Sequence, residues 1–179
     1  MKLFFLRHGI AEDATGGQRD ADRALTPAGR AQLAQIAHAL QRLGVKPQVV
    51  LTSPLVRAVQ SAEIVAPVVG APVEAVDELK PGCTLEHLQR LLRRYGQQPI
   101  MLVGHEPDFS ALAAHLINAE ERTLKLKKAG LIRLEVDGQL HPGHGRLTAL
   151  LTPKMLLLMA TNPTPEARKE PEDADDHGA

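Results

Sequence analysis

A chain of 179 residues, 44% of them hydrophobic, is long enough to bury one ordinary core; with 2% aromatics and no Trp, that core must come from Leu, Val, Ile and Ala. Acidic and basic residues balance at 21 each, so overall charge points to neither nucleic acid nor an anionic membrane as partner. The single cysteine, Cys83, excludes an intramolecular disulfide and a cysteine-based metal cluster. The apolar start is too short, and Arg7-His8 follows too soon, for a signal peptide, and no apolar run approaches a membrane span. A soluble cytoplasmic protein is expected.

The run Lys2-Leu3-Phe4-Phe5-Leu6 leads straight into Arg7-His8-Gly9 and reads as a buried strand. Taken alone it leaves two readings open: a strand ending in a solvated polar loop, or a cation and an imidazole at the carboxyl end of a strand, where open α/β sheets hold ligands. Residues 10–25 form a polar loop without periodicity, either a substrate-contacting lid or a plain solvated loop. Thr26-Pro27 opens a helix whose inward stripe is Leu33, Ile36, Ala37, Leu40 and Leu43, stopped by Gly44. Val49–Thr52 is a second buried strand. Ser53-Pro54 repeats the cap pattern for a helix burying Leu55, Val59, Ala62 and Ala66, closed by Pro67 and Gly70. Residues 71–76 suggest a short edge strand before a loop at 77–82.

Thr84 caps a further helix with Leu85, Leu88, Leu91 and Leu92 inward. Ile100-Met101-Leu102-Val103 is a third buried strand, ending in Gly104-His105-Glu106-Pro107. The next helix turns Phe109, Leu112, Ala113, Leu116 and Ile117 inward. Leu131–Val136 alternates as a strand, Asp137-Gly138 marks a turn, and residues 147–151 return. Strands alternating with helices predict a three-layer α/β/α domain over residues 1–160, mostly parallel, with an antiparallel C-terminal hairpin. Residues 161–179 hold six acidic residues, two basic ones and three prolines, the composition of a disordered acidic tail. Without them the chain has 19 basic against 15 acidic residues, a mild bias compatible with anionic substrates.

Three strand ends carry unusual residues: Arg7-His8-Gly9, Thr52-Ser53-Pro54 with Arg57, and Gly104-His105. Arg57 falls in the first turn of a helix, where free N–H groups and the dipole already favour an anion. A cation there suggests an external negative group. Arginine's planar fork suits phosphate, phosphoryl transfer is catalysed mainly by positioning and fixed positive charge, and histidine can act as the nucleophile.

Arg7-His8-Gly9 resembles the RHG signature of the histidine phosphatase, or phosphoglycerate mutase-like, superfamily. Leu25-Thr26-Pro27-Ala28-Gly29 resembles its LTxxG segment, Ser53 to Glu63 its SPLxRAxQTAE segment, and Val103-Gly104-His105 its GH motif. These elements occur in the family's order between Met1 and about Leu151. The short chain, the compact stretch between Ser61 and His105, and the 78–82 segment are most similar to SixA-like phosphohistidine phosphatases; larger mutases and bisphosphatases carry longer insertions there.

The resemblance implies a phosphatase with His8 as nucleophile, and with Arg7, Arg57 and His105 holding the phosphoryl oxygens. His8 must present a neutral nitrogen, whereas His105 is most useful as imidazolium. No metal or cofactor is required by this scheme. Glu78 is the positional candidate for proton donor, with Glu12, Asp13 and Glu106 behind it. An imidazole leaving group needs less acid help than an alkoxide. The implied partner is a phosphorylated protein, such as a histidine-containing phosphotransfer domain, or a small phosphoester. The alternatives are a small-molecule phosphomonoester phosphatase and a non-catalytic phosphohistidine-binding module; the intact set of four residues argues against the latter. His38, His87, His115 and Cys83 are read as bystanders. His141 and His144 lack a carboxylate to complete a metal site, and Lys125, Lys127 and Lys128 are read as a basic edge that can border the pocket.

Overall fold

The chain's first strand, β1 (Lys2–Arg7), buries Leu3, Phe4, Phe5 and Leu6, as a strand covered on both faces must. The computed structural model describes residues 1–14 and 16–161. The other strands are β2 (Val49–Thr52), β3 (Val73–Ala75), β4 (Ile100–Gly104), β5 (Leu131–Val136) and β6 (Gly145–Leu151). They form one six-stranded sheet in the order β3-β2-β4-β1-β5-β6. The β3, β2, β4 and β1 strands run parallel, while β5 and β6 add an antiparallel hairpin. The expected architecture is therefore the observed one, with β3 on the expected edge.

Successive strand residues point to opposite faces. Leu3, Phe5, Leu51 and Leu102 join one core with residues of α3 (Leu85–Leu92) and α4 (Asp108–Leu116). Phe4, Leu6, Val50, Met101 and Val103 join the other, beneath α1 (Pro27–Arg42), α2 (Val56–Val69) and α5 (Pro153–Thr161).

Local signals hold at several helix starts. Thr26 Oγ1 accepts from Gly29 N at 2.9 Å with Pro27 in the first helical position, and Thr84 forms a reciprocal capping pair with His87. Four details differ from expectation. Leu43 is the C-terminal cap of α1 and is exposed. The Ser53-Pro54 pair does not cap α2, which begins after Leu55; its buried stripe is Ala58, Ala62, Val65, Ala66 and Val69, with Val59 half-buried. Pro67 sits inside α2 on its exposed side, and the stop is Gly70 at φ 74°. The hairpin strand β6 starts at Gly145, two residues before the expected 147.

One helix was absent from the sequence reading. Helix α5 follows Thr152-Pro153, the same pattern that opens α1, and buries Leu156 against α1. Thr161 ends this helix, so the acidic tail expected from 161 begins one residue later at the earliest, and 162–179 lie outside the described residues. No helix among the described residues is long and apolar enough to cross a membrane.

Candidate active site

Because β4 lies between β1 and β2, the three unusual strand ends stand side by side. Arg7 is level with Gly104 and Thr52 with Val103. The pairing continues past the strands, His8 N donating to Gly104 O at 3.1 Å and Ser53 N to Val103 O at 2.9 Å. This brings His8, Arg57 and His105 together as buried groups, 7%, 5% and 4% exposed, at a cavity of about 310 Å³ that Arg7 also lines. A larger cavity of about 420 Å³ near Met1, Gln89, Gln97 and His141 gathers no such set of cations and imidazoles.

The tautomer of His8 follows from its neighbours. Nδ1 lies 2.8 Å from Gly9 O, a carbonyl that can only accept, so Nδ1 carries the proton. Nε2 then holds a lone pair and accepts from Arg57 Nε at 3.3 Å. Burial is the main cause holding the His8 pKa down to about 3, with the charges of His105, Arg57 and Arg7 adding to it against the Gly9 bond. The neutral nucleophilic form is therefore the resting form.

His105 stacks obliquely on His8 with ring centroids 5.2 Å apart. Burial, then the Arg57 charge, holds its pKa down to about 4. Both rings are therefore neutral near pH 7, and the charge expected on His105 is the one a bound phosphoryl group would favour. The Nε2 atom lies 2.9 Å from Ser53 Oγ, while Nδ1 is buried with no hydrogen-bond partner among the described residues, as is Arg7 Nε. Two orphaned polar atoms in one cavity mark a place where a polar ligand would complete the bonding.

Each cation is held by a partner. Arg7 Nη1 donates to Leu126 O at 3.0 Å. Arg57 leaves the first turn of α2, which has no side-chain cap. Its guanidinium donates to Asp20 O at 2.6 Å and Asp20 Oδ2 at 2.8 Å. The fully buried Ser61 ties two pieces together, accepting from Gly9 N at 3.1 Å and donating to Arg57 O at 2.6 Å. Gly9 does not adopt positive φ. Its requirement is space, since an added Cβ would fall 2.6 Å from Leu33 Cδ1.

Sequence reasoning missed Asp20. This residue of the 10–25 loop lines the cavity, bonds Arg57 and Arg23, and is held below the ordinary carboxylate range first by Arg23 and then by Arg57. Its carboxylate meets the same guanidinium that an anion in the cavity would draw on. The acid candidates also separate. Glu78 is not among the residues lining the cavity; its carboxylate meets Arg94 at 3.4 Å. Glu12 and Asp13 are exposed and also off the cavity. Glu106 lines it, with Oε1 accepting from Ser110 N and Oγ, and burial raises its pKa.

The bystanders lie elsewhere. His38 and His115 are exposed, and His87 caps α3. Burial first, then Asp108 and Glu78, pushes the Cys83 thiol up to about 12. His141 and His144 pack ring to ring at 5.5 Å. Of the three lysines, Lys128 lines the cavity.

Comparison with known proteins bears on the fold and the family. Residues 3–81 match the model of the histidine phosphatase superfamily (branch 1). An uncharacterized protein of Picosynechococcus is 37% identical over 164 residues, covering 88% of this chain and 99% of that one. The structure of the protein histidine phosphatase SixA complexed with tungstate superposes with a TM-score of 0.76 at 25% identity, covering 87% and 99% of the two chains. A phosphoserine phosphatase from Entamoeba histolytica shares the fold, with a TM-score of 0.67 at 20% identity over 87% and 99%.

Proposed function

The chain belongs to the histidine phosphatase superfamily, and from that premise we propose that it hydrolyses phosphohistidine on a signalling protein through a phosphorylated His8. The observation that carries the reading is the His8 ring itself: Nδ1 is anchored on Gly9 O and Nε2 presents a lone pair beside Arg57.

In the first step the Nε2 lone pair attacks phosphorus, and the bond from phosphorus to the leaving nitrogen breaks. The leaving imidazole keeps the bonding pair and takes up a proton. Arg7, Arg57 and His105 bear on the three equatorial oxygens, where charge collects. An arriving anion draws a proton onto His105, opposing the burial that holds its pKa down. In the second step water attacks phosphorus, the N–P bond breaks and the pair returns to Nε2; one water proton leaves on inorganic phosphate and the other restores the proton donor. Glu106 replaces Glu78 as the proposed proton donor, because it lines the cavity and burial favours its protonated form. The similarity to a SixA structure holding tungstate, an oxyanion, supports the phosphoryl assignment. The cytoplasmic setting suggested by the sequence is part of this proposal.

Rapid-quench reaction with a phosphohistidine protein is expected to leave an acid-labile, alkali-stable label on His8 that is absent from His8→Ala. A wild-type chain that binds the substrate without labelling or turnover would make it a binding module. Faster turnover of small phosphomonoesters than of phosphohistidine protein would overturn the substrate while leaving the nucleophile standing.

A further inference from the structure

We propose that the segment from Arg122 to Lys128 is a cationic docking rail that receives an acidic protein face while the phosphoryl group enters the cavity. This rests on the proposed reading of the site as a phosphoprotein phosphatase and names the surface that selects such a substrate.

The segment carries Arg122, Lys125, Lys127 and Lys128, all exposed, while Leu124 and Leu126 between them are buried. The alternation pins the backbone to the core and turns the cations outward. None of the four is in an ion pair among the described residues, whereas Arg19 and Arg23 of the 10–25 loop and Arg57 of α2 all meet aspartates. The rail is also fastened to the site. Leu126 N donates to Ser110 Oγ at 3.1 Å, and Leu126 O accepts from Arg7. Ala129, at φ 58°, donates its N–H to the carbonyls of both Arg7 and His8. A left-handed alanine is held only where its surroundings determine it.

The rail extends beyond the phosphoryl site. Lys128 lines the catalytic cavity, while Arg122 and Lys125 line an adjoining cavity of about 340 Å³, and Glu106 borders both. The cations thus run along a length of surface that spans both cavities, beyond the one a small phosphoester at His8 would fill. Unpaired cations spread over such a length match carboxylates on a protein surface and steer their approach. Glu106, Glu121 and Asp20 interrupt the same surface, which disfavours the uniform phosphate charge of a nucleic acid.

The test compares two phosphohistidine peptides, one with aspartate and glutamate flanks and one with neutral flanks, on wild type and on Lys125→Glu/Lys127→Glu. Wild type is expected to favour the acidic peptide roughly tenfold in kcat/KM at low salt, with near parity at about 0.5 M salt. The double variant is expected to lose that preference yet turn over the neutral peptide within about twofold of wild type. Equal turnover of both peptides by wild type overturns the rail and leaves the phosphohistidine reading intact. Loss of both peptides alike in the variant also overturns it. If neither peptide is hydrolysed while p-nitrophenyl phosphate is, the substrate reading fails; the rail then stands only if the acidic peptide inhibits that reaction more strongly than the neutral one, and more strongly in wild type than in the variant.

Discussion

Acidification from about pH 7.5 to about pH 5 reads the burial of the two imidazoles directly. The folded chain holds His8 at about 3 and His105 at about 4, against 6.5 for a free histidine. Between those values the unfolded chain binds protons that the folded chain refuses. Stability therefore rises with pH up to about 6.5 and is lost as pH falls below it, at a little over 1 kcal/mol per pH unit for each ring. At about pH 5 each histidine costs roughly 2 kcal/mol, and the pair roughly 4 if they act independently. Urea unfolding of wild type, His8→Asn and His105→Asn across this range isolates the contribution, because other titrating groups cancel in the difference. Each variant should lose roughly 2 kcal/mol less than wild type on acidification. A His105→Asn chain that weakens as steeply as wild type would refute the claim that this ring is buried neutral. Saturating inorganic phosphate should flatten the wild-type curve, since an anion beside His105 raises its pKa toward the unfolded value.

Ser61→Ala strands the Gly9 N–H in a buried setting and should cost about 1–3 kcal/mol in urea unfolding, with Ser61→Thr restoring most of it; no loss would mean the Gly9 contact is dispensable. Asp20→Asn removes the carboxylate that shares Arg57 with the incoming anion, so phosphate measured by calorimetry should bind roughly two- to fivefold more tightly. Weaker binding would instead make Asp20 a support for Arg57. Gly29→Ala places a Cβ 2.2 Å from the carbonyl of Ile10, a backbone atom that cannot swing aside. The expected cost is about 1–3 kcal/mol, or a melting temperature lower by roughly 3–10 °C. An unchanged melting temperature would show that the 10–25 loop is free to shift.

What the sequence made legible were features whose physics is local. A Thr-Pro pair before an apolar stripe caps a helix because its hydroxyl reaches an N–H three residues away, and Thr26 does so. The residues Arg7, His8 and His105 stood out because polar groups at the ends of buried strands have few reasons to be there. Their convergence needed one further fact, that β4 pairs with both β1 and β2. Helix α5 escaped because its 155–160 run is apolar all round and shows no periodic face, although Thr152-Pro153 announced it.

The misread residues share a different cause: each could serve two physical ends, and only tertiary neighbours choose between them. Ser53 looked like a helix cap, yet its hydroxyl sits 2.9 Å from His105 Nε2 and accepts from Leu55 N. Gly9 is set by the approach of Leu33, which lies far away in sequence. Acidic loop residues are the hardest case, because composition assigns them no partner. Glu78 meets an arginine beyond the end of α3, Asp20 meets two arginines, and Glu106 meets a serine one turn along α4. Only the arginine pairings neutralise a carboxylate's charge with a cation. The serine-bound Glu106 is instead partly desolvated, and burial moves its pKa up. Between Asp20, held down by its two arginines, and Glu106, raised by burial, the packing of each loop against its helix decides which carboxylate holds a proton more readily.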